Sequence, residues 1–373
     1  MYFDRFSYIA ICLAFALPSF GVSTLEERAP WKTVLNATVW RTDPSAPAPG
    51  AWYGRSEIIG NTLFATARST YSEPPVFPVY KSVDGGSTWT HISDVKDTVN
   101  GWGFRYQPHL YVLKHAMGGF PANTMLVAGN SVPKDLHATY IDLYASTDKG
   151  LTWKFISNIA KGGEAISENG HTPIWEPFLM EYKGQLICYY SDQRDEAHGQ
   201  KLIHQISRDL RNWSSGVTDV AHEEYSDRPG MPTVALMPNG EYILFYENVS
   251  GQPSRAPILY RISQDPLNFD NATAHQLIID GFAPISGSPY ITWSRAGGRN
   301  GTLIVNTNDS GYLYVNTNLG DPKSWRQFAT GGTPGAYSRS LRTLPDPRYV
   351  LIVGAGSQHS HVNSVRADVV KIA

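Results

Sequence analysis

The sequence predicts an all-β protein built as one six-bladed β-propeller with four-stranded antiparallel blades, and three observations support this. Short apolar or alternating segments bounded by Gly, Pro, Asn and Asp recur throughout, and no helical periodicity of useful length interrupts them. One strand–turn–strand unit recurs six times at intervals of about 50 to 65 residues. A tight turn before an aromatic residue follows five of these units, as a blade's third and fourth strands require.

Each repeat unit has a small or polar residue, often Pro, then an apolar strand, a Gly turn and a second apolar strand. The units begin at Tyr53, Tyr106, His171, Gly230, Gly287 and Tyr337. Positions predicted to be equivalent are Arg55, Pro108, Pro173, Pro232, Pro289 and Arg339. The sixth unit is followed only by "HVNSVRADVVKIA", whereas "WKTVLNATVW" is a lone strand near the N-terminus. We expect that N-terminal strand to close the ring, because an incomplete blade leaves unpaired edges.

A compact turn occurs as "SVDGGSTWT" at residues 82–90 and as "STDKGLTWK" at residues 146–154. Asp84 is expected to accept hydrogen bonds from the turn, glycine to supply positive φ, and Trp89 to pack between strands. Weaker copies end at Trp213, Phe269 and Trp325. The turn resembles the Asp-box, or bacterial neuraminidase repeat, of sialidase-like propellers, where its role is structural.

The N-terminal segment predicts export. Arg5 precedes an apolar run from Tyr8 to Leu17, and small residues follow, which is typical of a signal peptide and too short for a membrane span. We expect residues 1–23 to be the signal peptide and residues 24–373 to form a single propeller domain, secreted into the extracellular space. Six Asn-X-Ser/Thr sequons agree with a eukaryotic secretory route.

Composition limits the classes of partner and chemistry. The 31 Lys and Arg nearly balance the 33 Asp and Glu, so neither nucleic acid nor a membrane surface is expected as a partner, and we expect a monomer. Aromatic residues make up 12%, which suits stacking on sugar faces as well as packing between sheets. Cys188 has no partner once Cys12 leaves with the signal peptide, and its flanks indicate a buried strand. Neither a metal-ligand cluster nor a G-x-S-x-G elbow occurs, so no metal or cofactor is predicted. Carboxylates remain as the candidate catalytic groups.

Two glutamates interrupt apolar strands near repeat boundaries. Glu176 in "TPIWEPF" follows Trp175 and precedes Pro and Phe, which reduce its solvation, raise its pKa and suit a general acid. Glu247 in "YILFYEN" lies beside Tyr246 and Asn248, whose polar groups suit an ionised nucleophile. Taken alone, each glutamate is also compatible with a strand end in solvent.

Taken together, the signal peptide, Asp-boxes, six repeats, "HTPIWEPF" and "DRPGMPTV...GEYILFYEN" resemble glycoside hydrolase family 93, the fungal exo-1,5-α-L-arabinanases related in fold to sialidases. The resemblance covers essentially the whole mature chain. It implies a retaining hydrolase that releases arabinobiose from the non-reducing end of linear α-1,5-L-arabinan, with Glu176 and Glu247 as the catalytic pair. The flanking residues favour Glu176 as acid/base and Glu247 as nucleophile, and leave the exchanged roles open.

Substrate-binding candidates are aromatic or cationic residues near the repeat starts. The aromatic candidates are Trp52, Tyr53, Trp175, Tyr246 and Tyr337. The hydrogen-bond donors are Arg55, His171, Arg194, Arg228 and Arg339. Asn248 heads a sequon, and because a glycan beside a catalytic Glu would obstruct substrate, we expect Asn248 to be unglycosylated or Glu247 not to be catalytic.

Three alternatives remain open. A sialidase would clamp a carboxylate with Arg55, Arg228 and Arg339, although "YGRSEI" stands where sialidases have Phe-Arg-Ile-Pro. A non-catalytic glycan-binding propeller would keep the aromatic residues without a close Glu pair. A protein-interaction propeller would show an exposed apolar patch. For the arabinanase, the polar insertion "SDQRDEAHGQK", in particular Arg194 to His198, is the candidate loop that enforces exo cleavage.

Overall fold

Six four-stranded antiparallel sheets make up the protein, which confirms the predicted all-β, six-bladed propeller. The structure is a computed structural model, and it describes residue 1 and residues 31–42, 50–69, 72–250, 256–279, 281–282, 285–308, 310–332, 334–356 and 363–373. These residues contain no helix that is long and apolar enough to cross a membrane. Apart from Met1, the predicted signal peptide lies outside the described residues.

Blades 1 to 3 use consecutive strands, ordered from the central channel outward. A first strand, β1 (Val34–Arg41), precedes them. Blade 1 contains β2 (Trp52–Ile59), β3 (Thr62–Arg68), β4 (Phe77–Ser82) and β5 (Thr90–Val95). Blade 2 contains β6 (Phe104–Val112), β7 (Met125–Ser131), β8 (Thr139–Ser146) and β9 (Lys154–Gly162). Blade 3 contains β10 (Ile174–Tyr182), β11 (Gln185–Asp192), β12 (Lys201–Ser207) and β13 (Val217–Val220).

Blades 4 to 6 repeat the arrangement, and the last blade recruits β1. Blade 4 contains β14 (Asp227–Leu236), β15 (Tyr242–Ser250), β16 (Ile258–Ser263) and β17 (Ala274–Gln276). Blade 5 contains β18 (Tyr290–Ser294), β19 (Thr302–Asn306), β20 (Leu313–Asn316) and β21 (Arg326–Phe328). Blade 6 contains β22 (Ser340–Thr343), β23 (Tyr349–Gly354) and β24 (Ser364–Lys371), with β1 outermost.

The ring closes through its N-terminal strand, as predicted. β1 pairs antiparallel with β24 from Val34 opposite Val369 to Arg41 opposite Ser364. Each innermost strand contacts those of the two neighbouring blades, so the strands β2, β6, β10, β14, β18 and β22 enclose the channel. This closure pairs the edge that blade 6 would otherwise expose.

Apolar layers between adjacent blades hold the ring together. Between blades 1 and 2, Phe77 stacks on Phe104 with ring centroids 4.7 Å apart, and Tyr144 meets Phe104 edge to face at 5.3 Å. Each fully buried side chain of this kind stabilises the fold by roughly 1.5–3 kcal/mol relative to exposure. Cys188 is buried between blades 2 and 3, as its flanks predicted, and the described residues contain no second cysteine to form a disulfide with it.

The Asp-box turns join the third and fourth strands of blades 1 and 2. Asp84 accepts hydrogen bonds from the Thr88 backbone N–H at 2.9 Å, the Thr88 hydroxyl at 2.6 Å and the Ser82 hydroxyl at 2.8 Å. Gly86 has φ 91°, and the Trp89 indole donates to its carbonyl at 3.0 Å. The turns therefore serve the fold, as predicted, and their carboxylates belong to strand connections outside the channel.

Candidate active site

One residue within the first five positions of each innermost strand, or two residues before it, has a left-handed backbone. The six are Tyr53, Gln107, Glu176, Met231, Ser288 and Ser338, with φ between 42° and 62°. In blades 1 to 4 the register of the innermost strand pair shifts at this residue, which marks a β-bulge. Left-handed backbone costs a non-glycine residue about 1–3 kcal/mol, and such residues cluster at functional sites. We call these six positions the bulge ring.

The bulge ring corrects the predicted alignment of two repeats. The residues that follow its six members are Gly54, Pro108, Pro177, Pro232, Pro289 and Arg339. The predicted equivalence of Arg55 and Pro173 with the other four is therefore wrong. Arg55 lies one residue too late, and Pro173 belongs to the segment before β10. In blade 3, Pro173 in the connecting segment was aligned in place of Pro177, the proline that follows the bulge.

A cavity of about 360 Å³ opens at the bulge ring. Its lining residues are Trp52, Tyr53, Tyr106, Gln107, Ala165, Ser167, Trp175, Glu176, Gln200, Arg228, Glu247, Val249 and Tyr337. The structure therefore brings both predicted glutamates into one cavity. Five predicted binding residues lie with them: Trp52, Tyr53, Trp175, Arg228 and Tyr337.

Aromatic side chains wall the cavity on the side of blades 6, 1, 2 and 3. Trp52 lies 5.5 Å from Tyr337 and 6.5 Å from Tyr106, and Tyr106 meets Trp175 edge to face at 5.7 Å, measured between ring centroids. Among the described residues, the Nε1 of Trp52 and the Oε1 of Gln107 are buried without a hydrogen-bond partner. The wall thus combines flat apolar faces with a donor and an acceptor, which suits a sugar.

Glu176 is the member of the bulge ring in blade 3, with φ 62°. Its Oε2 accepts hydrogen bonds from the Ser191 hydroxyl and from the Met231 backbone N–H, both at 2.7 Å. Burial raises the pKa of Glu176, and these hydrogen bonds and the charge of Arg228 offset the rise only in part. Since both donors use Oε2, Oε1 is left to face a ligand or to carry a proton.

Glu247 lies on the second strand of blade 4, β15, directly opposite Gly230 of β14. Its Oε2 accepts a hydrogen bond of 2.6 Å from the backbone N–H of Ser288 in the bulge ring. Burial first, and then the negative charge of Glu176, raise the pKa of Glu247 to about 7. The two carboxyl groups therefore interact, and the pair retains one proton close to neutral pH.

Arg228 supplies a positive charge to the cavity without an ion-pair partner of its own among the described residues. Its Nη2 donates to the side-chain oxygens of Gln193 at 2.8 Å and Gln200 at 3.2 Å. Burial lowers the pKa of Arg228, while the charges of Glu176, Glu168 and Glu247 oppose this. With one proton on the glutamate pair, the charges of Glu176, Glu247 and Arg228, which line the cavity, cancel. The cavity is thus arranged for a neutral ligand.

Arg55 and Arg339 are buried below the cavity and are held by backbone carbonyls. Arg55 donates to the carbonyls of Gly54 and Ser338 at 2.9 and 2.7 Å, and its guanidinium lies 5.4 Å from the ring of Tyr290. Arg339 donates to the carbonyls of Thr307 and Ser310 at 2.9 and 2.6 Å. The three arginines of the sialidase hypothesis therefore do not converge on the cavity.

The remaining predicted binding residues also lie outside the cavity lining. Tyr246 is fully buried in the core between blades, because its neighbour Glu247 takes the side of β15 that faces the cavity. Arg194 pairs with Asp192 at 2.8 Å and with the Tyr190 hydroxyl. His171 is partly exposed, and its Nδ1 lies 3.9 Å from the carboxylate of Glu164. Strand alternation explains why Tyr246 is outside the cavity, whereas its ion pair with Asp192 explains why Arg194 is.

Sequence reasoning missed several cavity residues. Tyr106 and Gln107 directly precede Pro108, so a correct repeat alignment would have found them. Gln200 lies at the far end of the insertion after β11, and nothing in the sequence marked it. Ser191 occupies in blade 3 the place of Glu247 in blade 4, since each lies opposite the residue before the bulge.

Three chain segments, residues 165–169, 193–200 and 222–228, are joined by hydrogen bonds and form a wall beside the cavity, which Ala165, Ser167, Gln200 and Arg228 line. The Asn169 amide donates to the Tyr225 carbonyl at 2.7 Å, and the Gln193 amide donates to the Glu168 carbonyl at 3.3 Å. The His198 ring bonds to the carbonyl of His222 at 2.9 Å. The predicted blocking loop therefore connects both neighbouring segments. Within the described part of the chain, no group of three His, Cys, Asp or Glu side chains is placed to hold a metal.

Two solved fungal structures are similar to nearly the whole chain. The GH93 α-L-arabinofuranosidase of Fusarium graminearum, solved with arabinobiose, is 44% identical, with a TM-score of 0.88, over 91% of this chain and 98% of that chain. The Penicillium chrysogenum α-L-arabinanase, also solved with arabinobiose, is 43% identical, with a TM-score of 0.88, over 91% and 99%.

Other comparisons add only the fold. A sialidase from Streptococcus pneumoniae has a TM-score of 0.59 at 10% identity, over 91% of this chain and 71% of that chain. No family model and no curated protein matches. The sialidase shares the propeller, and the two fungal enzymes share both fold and sequence.

Proposed function

Because this chain belongs to glycoside hydrolase family 93, we propose that it releases arabinobiose from the non-reducing end of linear α-1,5-L-arabinan with retention of configuration. The two fungal relatives were solved with arabinobiose, and the cavity has aromatic faces and balanced charge that suit a neutral sugar. The single observation that carries the proposal is the interacting pair Glu176 and Glu247 in one cavity. A non-catalytic propeller gives no account of such a pair.

Glu176 acts as acid/base and Glu247 as nucleophile in the proposed reaction. The Glu176 carboxylic acid donates its proton to the leaving glycosidic oxygen while a Glu247 oxygen attacks the anomeric carbon and the C–O bond breaks. Glu176 then deprotonates water, which displaces Glu247 and restores both groups. A retaining pair is about 5 to 5.5 Å apart, and a shared proton gives the required one acid and one carboxylate.

The exchanged assignment has one observation in its favour. The pKa of Glu247 is raised to about 7, whereas Glu176 accepts two hydrogen bonds that stabilise its charge. The Oε1 atoms do not decide between the two assignments, because each glutamate accepts its hydrogen bonds on Oε2; the assignment proposed here rests on the apolar flanks of Glu176, which favour its neutral form. An aryl arabinofuranoside with a good leaving group separates the roles, because only the acid variant should still form its glycosyl-enzyme rapidly.

Exo cleavage is assigned to the wall of residues 165–169, 193–200 and 222–228. The hydrogen bonds that tie these segments together close one side of the mouth, so a chain end enters more easily than a chain middle. We also propose that the enzyme is secreted, with residues 1–23 removed, and that it acts as a monomer. Asn248 is buried and donates to Asp227 at 3.0 Å, which supports the expectation that it carries no glycan.

Product analysis tests the proposal. The protein is incubated with linear α-1,5-L-arabinan and, in parallel, with sialyllactose, and the sugars are separated by chromatography. Arabinobiose alone from the earliest time point is expected. A ladder of longer oligosaccharides would remove the exo assignment, and free sialic acid would favour the sialidase. Deleting Arg194–His198 should introduce endo products, and an unchanged product pattern would contradict the role of that loop.

A further inference from the structure

The residue before each bulge-ring position differs in size around the propeller. In blades 1, 2, 3 and 6 it is aromatic, and in blades 4 and 5 it is glycine; the six are Trp52, Tyr106, Trp175, Gly230, Gly287 and Tyr337. The aromatic members build the cavity wall described above. At the two glycines, next to the glutamate pair, the wall therefore has no aromatic side chain.

Both glutamates are anchored to one dipeptide, Gly230–Met231. Glu176 reaches across from blade 3 to accept the N–H of Met231 at 2.7 Å. Glu247 lies opposite Gly230 in the register of β14 and β15. The same short segment thus contacts the first carboxylate through a hydrogen bond and holds the second through strand pairing.

A side chain at position 230 would crowd this arrangement. A Cβ added to Gly230 would lie 3.3 Å from Oε2 of Glu176, 2.9 Å from Nε2 of Gln200 and 3.7 Å from the hydroxyl of Ser191. The first and third of these atoms form the hydrogen bond that orients Glu176. Gly230 is not among the residues with positive φ, so its need for glycine comes from space rather than from backbone conformation.

We infer that Gly230 is a positioning residue, whose missing side chain lets Glu176 lie over β14 at the separation from Glu247 that catalysis needs. The inference rests on the proposed function for its kinetic part. Its structural part concerns only how the two carboxyl groups are held. A methyl group at this position would push Oε2 away from the Met231 N–H, which would destabilise the charged form of Glu176.

The test compares Gly230→Ala with two controls. Gly216→Ala also lacks positive φ, and its Cβ would meet the flexible end of Ile203, away from the cavity. Gln200→Ala removes the other close neighbour of the new methyl group. For each folded variant, kcat and KM on arabinooligosaccharides are measured, and the glutamate side-chain carboxyls are titrated by ¹³C NMR, with Glu→Gln variants for assignment.

Gly230→Ala is expected to lower kcat about tenfold with KM nearly unchanged, because a Cβ 3.3 Å from Oε2 displaces that oxygen by less than the ~1 Å that costs about 100-fold. In the titration the pKa of Glu176 should rise, because its charged form loses a hydrogen bond, and that of Glu247 should fall, because a more protonated Glu176 repels its charge less. Gly216→Ala should show neither the two pKa changes nor the loss of kcat, and Gln200→Ala, although it alters the cavity lining, should not show the two pKa changes. If Gln200→Ala reproduced both pKa changes, or if Gly230→Ala left both kcat and the titration unchanged, the inference would be overturned.

Two further outcomes can be distinguished from a failure of the inference itself. If the unmodified enzyme does not hydrolyse arabinan, the proposed function fails, and the titration still decides the inference because it needs no substrate. If Gly230→Ala does not fold, Glu176→Ala/Gly230→Ala should recover stability, since the contacted carboxylate is gone. Absence of that recovery would overturn the inference.

Discussion

The Asp-box turns and the cavity use the same functional group, a carboxylate that accepts backbone and hydroxyl hydrogen bonds, with opposite results. Asp148 accepts four such bonds in an exposed turn, and although burial opposes it, these bonds lower its pKa to about 2. Glu247 accepts one backbone bond in a buried cavity, and burial and Glu176 raise its pKa to about 7. Solvation and the number of donors, rather than residue type, separate a structural carboxylate from a reactive one.

The largest expected effect comes from replacing the cavity carboxylates. Glu176→Gln and Glu247→Gln should each lower kcat/KM on arabinan about 10³-fold or more, because each removes a group that forms or breaks a bond in the reaction. Initial rates of arabinobiose release measure this. The matched control is Asp84→Asn, the same change from carboxyl to amide in a turn, which should leave kcat/KM within about twofold. Equal losses from all three variants would contradict the distinction.

A smaller loss of activity is expected from replacing Arg228, the cation that lines the cavity. Arg228→Lys keeps the charge but loses the planar donor that bonds Gln193 and Gln200 together, so we expect kcat/KM to fall about 10- to 100-fold. Arg194→Lys is the control, because Arg194 pairs with Asp192 outside the cavity lining. Kinetics on arabinotriose would measure both variants. Equal effects at the two positions would place Arg194 in the binding site after all.

The activity should fall on the alkaline side as the glutamate pair loses its shared proton. Above pH about 7 both carboxyl groups are ionised, no acid remains, and kcat/KM should drop about tenfold per pH unit. Below the pKa of Glu176 both groups are protonated, no nucleophile remains, and activity should fall again. A pH–rate profile on the unmodified enzyme checks this. Activity that stays level to pH 9 would mean that the proton is not held by this pair.

The sequence predicted the propeller well because its signals are local. The Asp-box needs Ser, Asp, Gly, Thr and Trp within nine positions, and each residue satisfies a bond inside the same turn. The alternation of apolar strands with Gly turns is equally local. The closing pair of β1 and β24 followed from counting strands, since an unpaired edge is unfavourable.

The site was less predictable because its contacts join different blades. Glu176 and Glu247 were found because both interrupt apolar strands, but Tyr246 and Arg339 were expected in the cavity and are buried elsewhere. Their placement depends on strand alternation and on a bulge whose position the sequence does not mark. The alignment of Pro173 failed for that reason, and with it the chance to find Gln107.

The smallest expected effect is a loss of stability caused by a substitution in an Asp-box turn. Asp148→Asn removes the negative charge that Ser146 and Thr152 donate to, so the free energy of unfolding should fall by about 1 kcal/mol while kcat is unchanged. Because the folded pKa of Asp148 lies near 2, below its ordinary value of 3.8, its contribution is present above pH 3.8 and is lost as pH falls toward 2. Urea unfolding at pH 6 and pH 2.5 should therefore show the two proteins converging at the lower pH. If the difference in unfolding free energy between the two proteins were the same at both pH values, the charge of Asp148 would not stabilise the turn. The contrast in charge between the two kinds of carboxylate would then matter only for the cavity.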